Sequence, residues 1–447
     1  MTRILALDVG TSSVRAQVFG EGAAEESALA RRDYSTENDA ARLTAAVREA
    51  LEEVLPDNVD AVGCSCFGHS LVALDANGDP LTPVLGWRDT RSAAAAERLG
   101  RRLDAAAVHA RTGCHIHTSY WPAKIAWLAA EKQDVFRATR RFVSFADYLY
   151  MQLLGVDDVP ASTSLASGTG LLDLDTQTWD TELLEVLGLV PERLPRIDNS
   201  PVDEWYPALM DGFCANIGAG CVTPERAALT VGTSGALRTV YKTEAPRPRP
   251  GLFLYRVDDR RVVEGGALSD GGNLVGWLRE TLKNADGSLA DRDPDSHGLT
   301  FLTLLGGERS VGWHQHAKGA VTGLTFDTTP LDLRQAALEG VAFRFAEIVE
   351  LMPEVRQVVA TGGALLRDQD WLQIVADALA LPVTASEVKE ASLRGAAVVT
   401  LERLGRVAGA APLGRTFEPR ADRAAAYVAA RERQRELYRA AIGADTS

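Results

Sequence analysis

The chain has 447 residues, enough for two or three domains at roughly 150 residues each. Hydrophobic residues at 46% and charged residues at 24% fit an ordinary globular protein with a large core. A net charge of −14 argues against a basic nucleic-acid or membrane-surface binder, so an anionic ligand must be held by local cations, helix N-termini or a metal.

From the N-terminus, RILALD (3–8) and RAQVF (15–19) predict strands on either side of a turn. AARLTAAVREALEEVL (40–55) has the apolar spacing of a helix, and VDAVGCSCFG (59–68) that of a buried strand. LVALDANGDPL (71–81) predicts a strand-turn unit with Asn77-Gly78 at its tip. Helices are expected over 92–109 and 122–132, and a short one before Gly188 and Pro191. A strand unit restarts near 226. Helices follow at 272–284, 331–352, 369–380 and 422–440, with a rigid loop at 245–250 and a polar excursion at 285–297. Strands and helices mix throughout, so the fold class is α/β.

The five cysteines (Cys64, Cys66, Cys114, Cys214 and Cys221) are odd in number and show no C-x-x-C, which indicates buried free thiols in a reducing compartment. Cys64 and Cys66 share a face if they share a strand. The pairs His115/His117 and His314/His316 have no carboxylate or Cys at ligand spacing, so no metal site is assigned to them. With no basic-then-apolar leader and no apolar run near 18 residues, a cytoplasmic protein is expected.

One motif occurs twice, about half a chain apart. ALDVGTS at 6–12 and ALTVGTS at 228–234 agree at six of seven positions, and each lies between two apolar runs. Gly10 and Gly232 let the backbone approach a ligand, while the neighbouring hydroxyls can bond phosphate oxygens. Two such loops imply two similar lobes gripping one polyphosphate, with a boundary near 223–226. No G-x-x-x-x-G-K-[ST] and no strand-linked G-x-G-x-x-G occurs, which argues against a P-loop and a Rossmann cofactor. In VVATGGALLRDQDWLQIVADAL (358–379), by contrast, an apolar strand meets Thr361-Gly362-Gly363 and a helix, the layout of an anion or nucleotide platform.

Along nearly its whole length the chain resembles the FGGY carbohydrate kinases of the actin-like ATPase superfamily. DVGTSSVRA (8–16), FGHSLVALDANGDPL (67–81), WRDTRS (87–92), ASGTGLLDLDTQTWD (166–180), MDGFCANIGAG (210–220), TVGTSGALR (230–238), GGALSDGGNLVGWL (265–278), GERSVGW (307–313) and TGGALLRDQDWLQIVAD (361–377) carry the likeness. One family signature matches throughout, from Gly319 to Leu324 and from Asp332 to Glu339. The usual P-x-x-K-x-x-W region departs, being one residue short before Lys124. Gly68-His69-Ser70, W-x-D-x-R-S at 87–92 and D-G-x-x-x-N-I-G at 211–218 look most like gluconate kinases; xylulose kinases usually carry His-Gly at the first site.

The resemblance implies duplicated actin-like (ribonuclease H-like) lobes, 1–225 and 226–447, closing on a central cleft that holds ATP and a small sugar or sugar acid. It puts the catalytic base at Asp211, which precedes Gly212 and a Gly/Ala-rich helix start. Asp8 ends an apolar strand, where a carboxylate demands a reason, and hydrated Mg²⁺ bridging the ATP phosphates supplies one. Thr11, Ser12, Ser13 and Arg15 are expected on the phosphates from one lobe, and Gly232, Thr233 and Ser234 from the other. Gly362, Gly363 and Ala364 are expected to flank the nucleoside. His69, Trp87, Asp89 and Arg91 are the sugar candidates, with Arg88, Arg91 and Lys124 open as partners of a substrate carboxylate. A homodimer is possible, and neither nucleic acid nor membrane is an expected partner. The competing readings are an actin- or chaperone-like ATPase that binds a protein partner, and a non-catalytic sugar binder.

Overall fold

The first half of the chain supplies β1 (Ile4–Val9), β2 (Ser13–Phe19), β3 (Ala30–Asp33), β4 (Ala61–Cys66), β5 (Val72–Leu74), β6 (Arg141–Val143) and β7 (Leu209–Met210). The computed structural model describes residues 2–34, 38–54, 58–285 and 287–443. Five of these strands form a sheet in the order β3-β2-β1-β4-β7, while β5 and β6 pair apart. Every residue of β1 and β4 is buried, which is why these strands are continuous small or apolar runs broken by few polar residues. The helix Ala40–Val54 covers the sheet with Leu43, Val47, Ala50 and Leu51, a 3.6-period stripe.

The second half supplies β8 (Arg226–Val231), β9 (Gly235–Lys242), β10 (Phe253–Arg256), β11 (Arg261–Leu268), β12 (Thr300–Leu302), β13 (Ala320–Thr322), β14 (Gln357–Thr361), β15 (Val383–Ser386) and β16 (Leu413–Phe417). Seven of them form a sheet in the order β10-β11-β9-β8-β14-β15-β16. Its centre repeats the first sheet. Strand β1 runs antiparallel to β2 and parallel to β4; β8 runs antiparallel to β9 and parallel to β14. The α/β class and the two similar lobes read from the sequence are therefore present.

The lobes meet through two helices in equivalent places. Asp211–Gly218 follows β7, and Ala391–Arg403 follows β15. They cross with backbones almost touching. A Cβ on Gly218 would lie 1.8 Å from the Ala391 carbonyl oxygen, and one on Gly395 would lie 1.8 Å from that of Cys214. Leu393, Ala396, Ala397 and Leu401 of the later helix sit in one core with Ile4–Leu7 of β1.

Most predicted elements lie within a few residues of their expected bounds, including helices Pro330–Glu350, Gln369–Leu379 and Ala421–Ile442. Leu55, the expected end of the first helix, and Asp286, within the polar excursion, lie outside the described residues. One local reading needs correction. The helix expected over 92–109 is two, Ala93–Gly100 and Ala105–Thr112, because Asp104 accepts the Ala106 and Ala107 N–H groups and starts a new helix. The Asn77-Gly78 turn forms as expected, with Gly78 at φ +85°; the chain returns along β5 through a Leu74–Pro80 antiparallel bridge and the Leu81 N–H on the Ala73 carbonyl at 2.7 Å, and β5 also pairs with the distant β6. All five cysteines are buried free thiols, and Cys64 and Cys66 share β4.

Gly395→Ala is expected to destabilise the protein by at least about 1–3 kcal/mol, because a backbone carbonyl cannot move aside for a methyl group. Gly100→Ala, at a helix end with open space around it, should be neutral or slightly stabilising. Chemical denaturation of the two variants measures the contrast.

Candidate active site

Both Gly-Thr-Ser copies are tight turns between antiparallel strands. The Gly10 N–H donates to the Ser13 carbonyl at 3.0 Å, and the Gly232 N–H to that of Ser234 at 3.1 Å. Thr11, Ser12 and Thr233 are exposed, and Gly232 and Ser234 are half-buried. Ser13 departs from expectation: as the first residue of β2 it is 1% exposed, so its hydroxyl is withdrawn from the open face of the turn.

The mismatch between the copies is resolved by the next strand. Asp8 of β1 is opposite Ser65 of β4, and Thr230 of β8 is opposite Thr361 of β14. Ser65 Oγ donates to Asp8 Oδ1 at 2.8 Å, while Thr361 Oγ1 donates to Thr230 Oγ1 at 2.8 Å. Asp8 is buried, and burial pushes its carboxyl up to about 6 against the pull of Arg15 and Ser65. Arg15 reaches Asp8 Oδ2 at 3.2 Å and Glu390 Oε2 at 2.8 Å, so it spans the seam between lobes. Its apparent counterpart, Arg238, lies elsewhere: β9 pairs it with Ala228, deeper along the strand, and a Cβ on Gly212 would meet its Nε at 2.9 Å. Asp8 is a hard oxygen donor held in place by two hydrogen bonds, which suits an ion such as Mg²⁺ that takes few carboxylates and keeps its waters.

Past β14 the chain turns at Gly362, with φ +87°, into the short helix Gly363–Leu366. A side chain at Gly362 would strike the Val231 backbone at 2.5 Å. Across from it, a Cβ on Gly272 would stand 2.3 Å from the Gly232 carbonyl oxygen and 2.7 Å from Ala364 Cβ. These residues bring the second Gly-Thr-Ser loop, the 362–364 turn and the start of helix Gly272–Thr281 together. A cavity of about 470 Å³ opens there, lined by Gly272, Val275, Gly276, Arg279, Ala364 and Arg367. Gly362 and Gly363 precede Ala364 in the chain but do not line the cavity themselves.

A second cavity, about 210 Å³, lies between the lobes. Asp211 stands in its wall as the first residue of helix Asp211–Gly218, with Oδ1 accepting the Gly212 N–H at 2.7 Å. Burial raises its carboxyl above the usual range, and Arg238, Gly212 and Arg309 pull the other way. His69 and Trp87 line the same space, as do Tyr120, Tyr255 and Trp313. His69 adopts φ +63° and Trp313 φ +60°, left-handed backbone that such side chains rarely take outside functional sites. The His69 Nδ1–H donates to the Gly168 carbonyl at 2.6 Å, and burial lowers the ring to about 3, so it is neutral. Tyr120 and Tyr255 share a 2.7 Å hydroxyl contact across the lobes.

Three guanidiniums surround this cavity. Arg309 lies 4.3 Å and Arg88 4.8 Å from the centre of the Trp87 ring. Burial and repulsion by Arg238 and Arg88 lower Arg309 to about 10, and burial lowers Arg238. Arg238 Nη1 and Arg309 Nε are buried without a hydrogen-bond partner among the described residues.

Asp89 and Arg91 do not join the cavity wall. They bond each other, with Arg91 Nε 2.9 Å from Asp89 Oδ1, and the Arg91 guanidinium lies over Trp127 instead. Lys124 is buried, its Nζ donating to the carbonyls of His69 at 2.5 Å and Ser119 at 2.9 Å; burial lowers it to about 7. Its place is under the His69 turn. Of the three cations left open for a substrate carboxylate, Arg88 alone lines the cavity. Sequence reading gave no site role to Arg238, Arg309, Tyr120, Tyr255 or Trp313. Arg238 and Arg309 stand inside the quoted motifs TVGTSGALR and GERSVGW, and an arginine within such a motif was the available signal.

Comparison with known proteins agrees with this architecture. Residues 3–224 match the model of the FGGY family of carbohydrate kinases, N-terminal domain, and residues 227–401 match its C-terminal domain. The chain is 29% identical over 454 residues to the gluconokinase of Bacillus subtilis (strain 168), covering 90% of this chain and 88% of that one. It is 26% identical over 441 residues to the xylulose kinase of Staphylococcus xylosus, covering 89% and 90%. The crystal structure of gluconate kinase from Lactobacillus acidophilus superposes with a TM-score of 0.88 at 26% identity over 99% of both chains. A ligand-bound xylulose kinase from the same species gives 0.89 at 26% over 98% of both.

Proposed function

Because this chain belongs to the FGGY family of carbohydrate kinases, we propose that it phosphorylates a sugar acid, converting D-gluconate to 6-phosphogluconate at the expense of ATP. The observation that carries the choice of substrate is the charge of the central cavity. Arg88, Arg238 and Arg309 line the cavity with one carboxylate, Asp211, and Arg238 Nη1 and Arg309 Nε are buried with no acceptor among the described residues. A neutral ketose offers these groups only uncharged oxygens, whereas an aldonate brings a carboxylate, the stronger charge-assisted acceptor. The likeness to the gluconokinases of Bacillus subtilis (strain 168) and Bacillus licheniformis favours the same reading. D-xylulose is the second reading, supported by the equally good fit to a xylulose kinase structure.

In this reaction the γ-phosphoryl group passes in line from ATP to the acceptor hydroxyl, the O–P bond to ADP breaking as the new one forms. Asp211 takes the hydroxyl proton. Burial raises its basicity while Arg238 and Arg309 keep it ionised. The turns at 11–12 and 232–234 offer N–H groups and hydroxyls to the phosphates, and Gly362, Gly363 and Ala364 bound the nucleoside. Asp8 would hold Mg²⁺, which when bound neutralises charge on the phosphate oxygens. His69, Trp87 and the two tyrosines give the sugar an apolar wall with hydroxyl partners. Closure of the lobes keeps water from competing for the phosphoryl group.

An ADP-coupled assay over aldonates, ketoses and polyols tests the substrate. D-gluconate should give the highest kcat/KM; D-xylulose turnover far above it would overturn the choice. Asp211→Asn should lose roughly 10²–10⁴-fold in kcat. In the wild type, kcat/KM should fall toward acid through a pKa above the ordinary Asp value of about 3.9, because protonation of a raised carboxyl removes the base. A limb at or below that value would contradict the assignment.

The cavity arginines should separate from the rim. Arg309→Ala is expected to raise the KM for D-gluconate by roughly 10–150-fold, the worth of a charge-assisted hydrogen bond. Arg91→Ala, which breaks an exposed pair, should change it less than about fivefold. Steady-state kinetics on both variants makes the comparison.

A further inference from the structure

The turn after β11 touches two parts of the site at once. On one side it supports the second Gly-Thr-Ser loop: the Gly272 N–H donates to the Gly232 carbonyl at 2.8 Å and the Asn273 N–H to the Thr233 carbonyl at 2.9 Å. A Cβ on Gly271 would lie 2.8 Å from the Ser234 carbonyl carbon, so loop and turn are in backbone contact. On the other side stands Asp270, 3% exposed. Its Oδ2 accepts the Leu305 N–H at 3.0 Å and its Oδ1 the Gly306 N–H at 3.2 Å.

Leu305 and Gly306 open a segment that reaches over to the other lobe. Arg309 and Ser310 fix it to β11, through Arg309 Nη2 on the Leu268 carbonyl at 2.9 Å and the Ser310 N–H on that of Ala267 at 3.0 Å. Beyond them, Arg309 covers Trp87, and Trp313 stacks on His115 with ring centres 4.5 Å apart. Gln315 Nε2 donates to the Ala93 carbonyl at 3.1 Å, and His316 Nε2 is 2.9 Å from Glu97 Oε1. The 305–316 segment is thus a strap: it contributes a wall of the sugar cavity, is tied to β11 by Arg309 and Ser310, and is tied to the 269–273 turn by the buried Asp270 carboxylate.

We propose that Asp270 is a positioning residue that couples the two ligand sites, transmitting contact at the 232–234 loop through the 269–273 turn to the strap that shapes the sugar cavity. The inference rests on the placement of ATP phosphates and sugar given above. Its physical basis is that only a carboxylate offers one acceptor to each of two adjacent N–H groups. An amide in its place must turn an NH₂ toward one of them, and an alanine leaves both unpaired. The strap then keeps its ties to β11 but loses its direct link to the turn that backs the phosphate loop, while every group that touches either ligand remains.

The test is a binding cycle. Titration calorimetry measures D-gluconate affinity with and without a saturating non-hydrolysable ATP analogue and Mg²⁺, in the wild type, Asp270→Asn and Asp270→Ala. The wild type should bind sugar at least about fivefold more tightly with nucleotide present, within the usual range for coupled sites. In both variants that ratio should fall toward one, with each ligand alone binding within about threefold of wild type. A wild-type ratio of one, or a wild-type ratio preserved in the variants, overturns the proposal. A merely structural role would lower the melting temperature and leave the ratio intact. Should Asp270→Ala not fold, the nearly isosteric Asp270→Asn decides. If the wild type does not bind D-gluconate, the substrate reading fails separately, and the same cycle is run with the ketose or polyol that the assay panel shows to be phosphorylated.

Discussion

The crossing of helices Asp211–Gly218 and Ala391–Arg403 sets the geometry of everything else. At Gly218 and Gly395 there is no room for a single carbon, since each Cβ would fall 1.8 Å from a carbonyl oxygen of the other helix. Backbone against backbone is a stiff contact, because no side chain is present to change rotamer. It fixes where Asp211 begins its helix and where Glu390 stands before its own. Arg15 then ties Glu390 to Asp8. Arg394 Nη1 adds a bond to the Gly218 carbonyl at 2.9 Å. Three carboxylates from distant parts of the chain are thereby set by packing rather than by loops, which is what a phosphoryl-transfer site requires when positioning supplies most of the rate.

Duplication explains the seam but not the chemistry. The two helices occupy equivalent places after β7 and β15, and the two turns occupy equivalent places after β1 and β8. Yet at the matched register the first lobe has Asp8 with Ser65 and the second has Thr230 with Thr361. A carboxylate in both would add a second negative charge opposite a polyphosphate. The threonine pair satisfies its own hydrogen bond and leaves the second turn neutral, so its N–H groups face an anion unopposed. On the proposed reading, the first lobe carries the cation and the second cradles phosphate.

Local pattern carried the strands, the helices and the turns, because apolar period and Gly or Asp at element ends act over a few residues. The failures are long-range. Nothing in LVALDANGDPL reveals that β5 pairs with residues 141–143, and the break at Asp104 interrupts a run of apolar and alanine residues that has helical spacing throughout. Within the site, the duplicated motif brought out Asp8 and the Gly-Thr-Ser turns, while the likeness to a family brought out Asp211. Side-chain direction was not legible. Asp89 and Arg91 have the composition of a sugar-binding pair and satisfy each other at the rim; Ser13 sits in a hydroxyl-rich turn but is the residue that enters the strand. Arg238 and Arg309 were given no site role because a lone arginine is legible as part of a site only when the opposite lobe is in view.

The chain's charge then takes on a different meaning. At −14 the protein as a whole repels phosphates and sugar acids. The cleft answers with guanidiniums gathered from both lobes, Arg88 from one and Arg238 and Arg309 from the other, close enough that Arg309 is lowered by its neighbours. Burying such groups costs free energy unless each finds an acceptor, and Arg238 Nη1 and Arg309 Nε have none within the described protein. The cost is lifted when an anion enters. A polyol offers these N–H groups only neutral hydroxyl oxygens, whereas an acid offers a charge-assisted acceptor, so on the proposed reading they discriminate in favour of the acid. Since Trp87 of one lobe lies under Arg88 of the same lobe and Arg309 of the other, that discrimination can be complete only when the lobes are together.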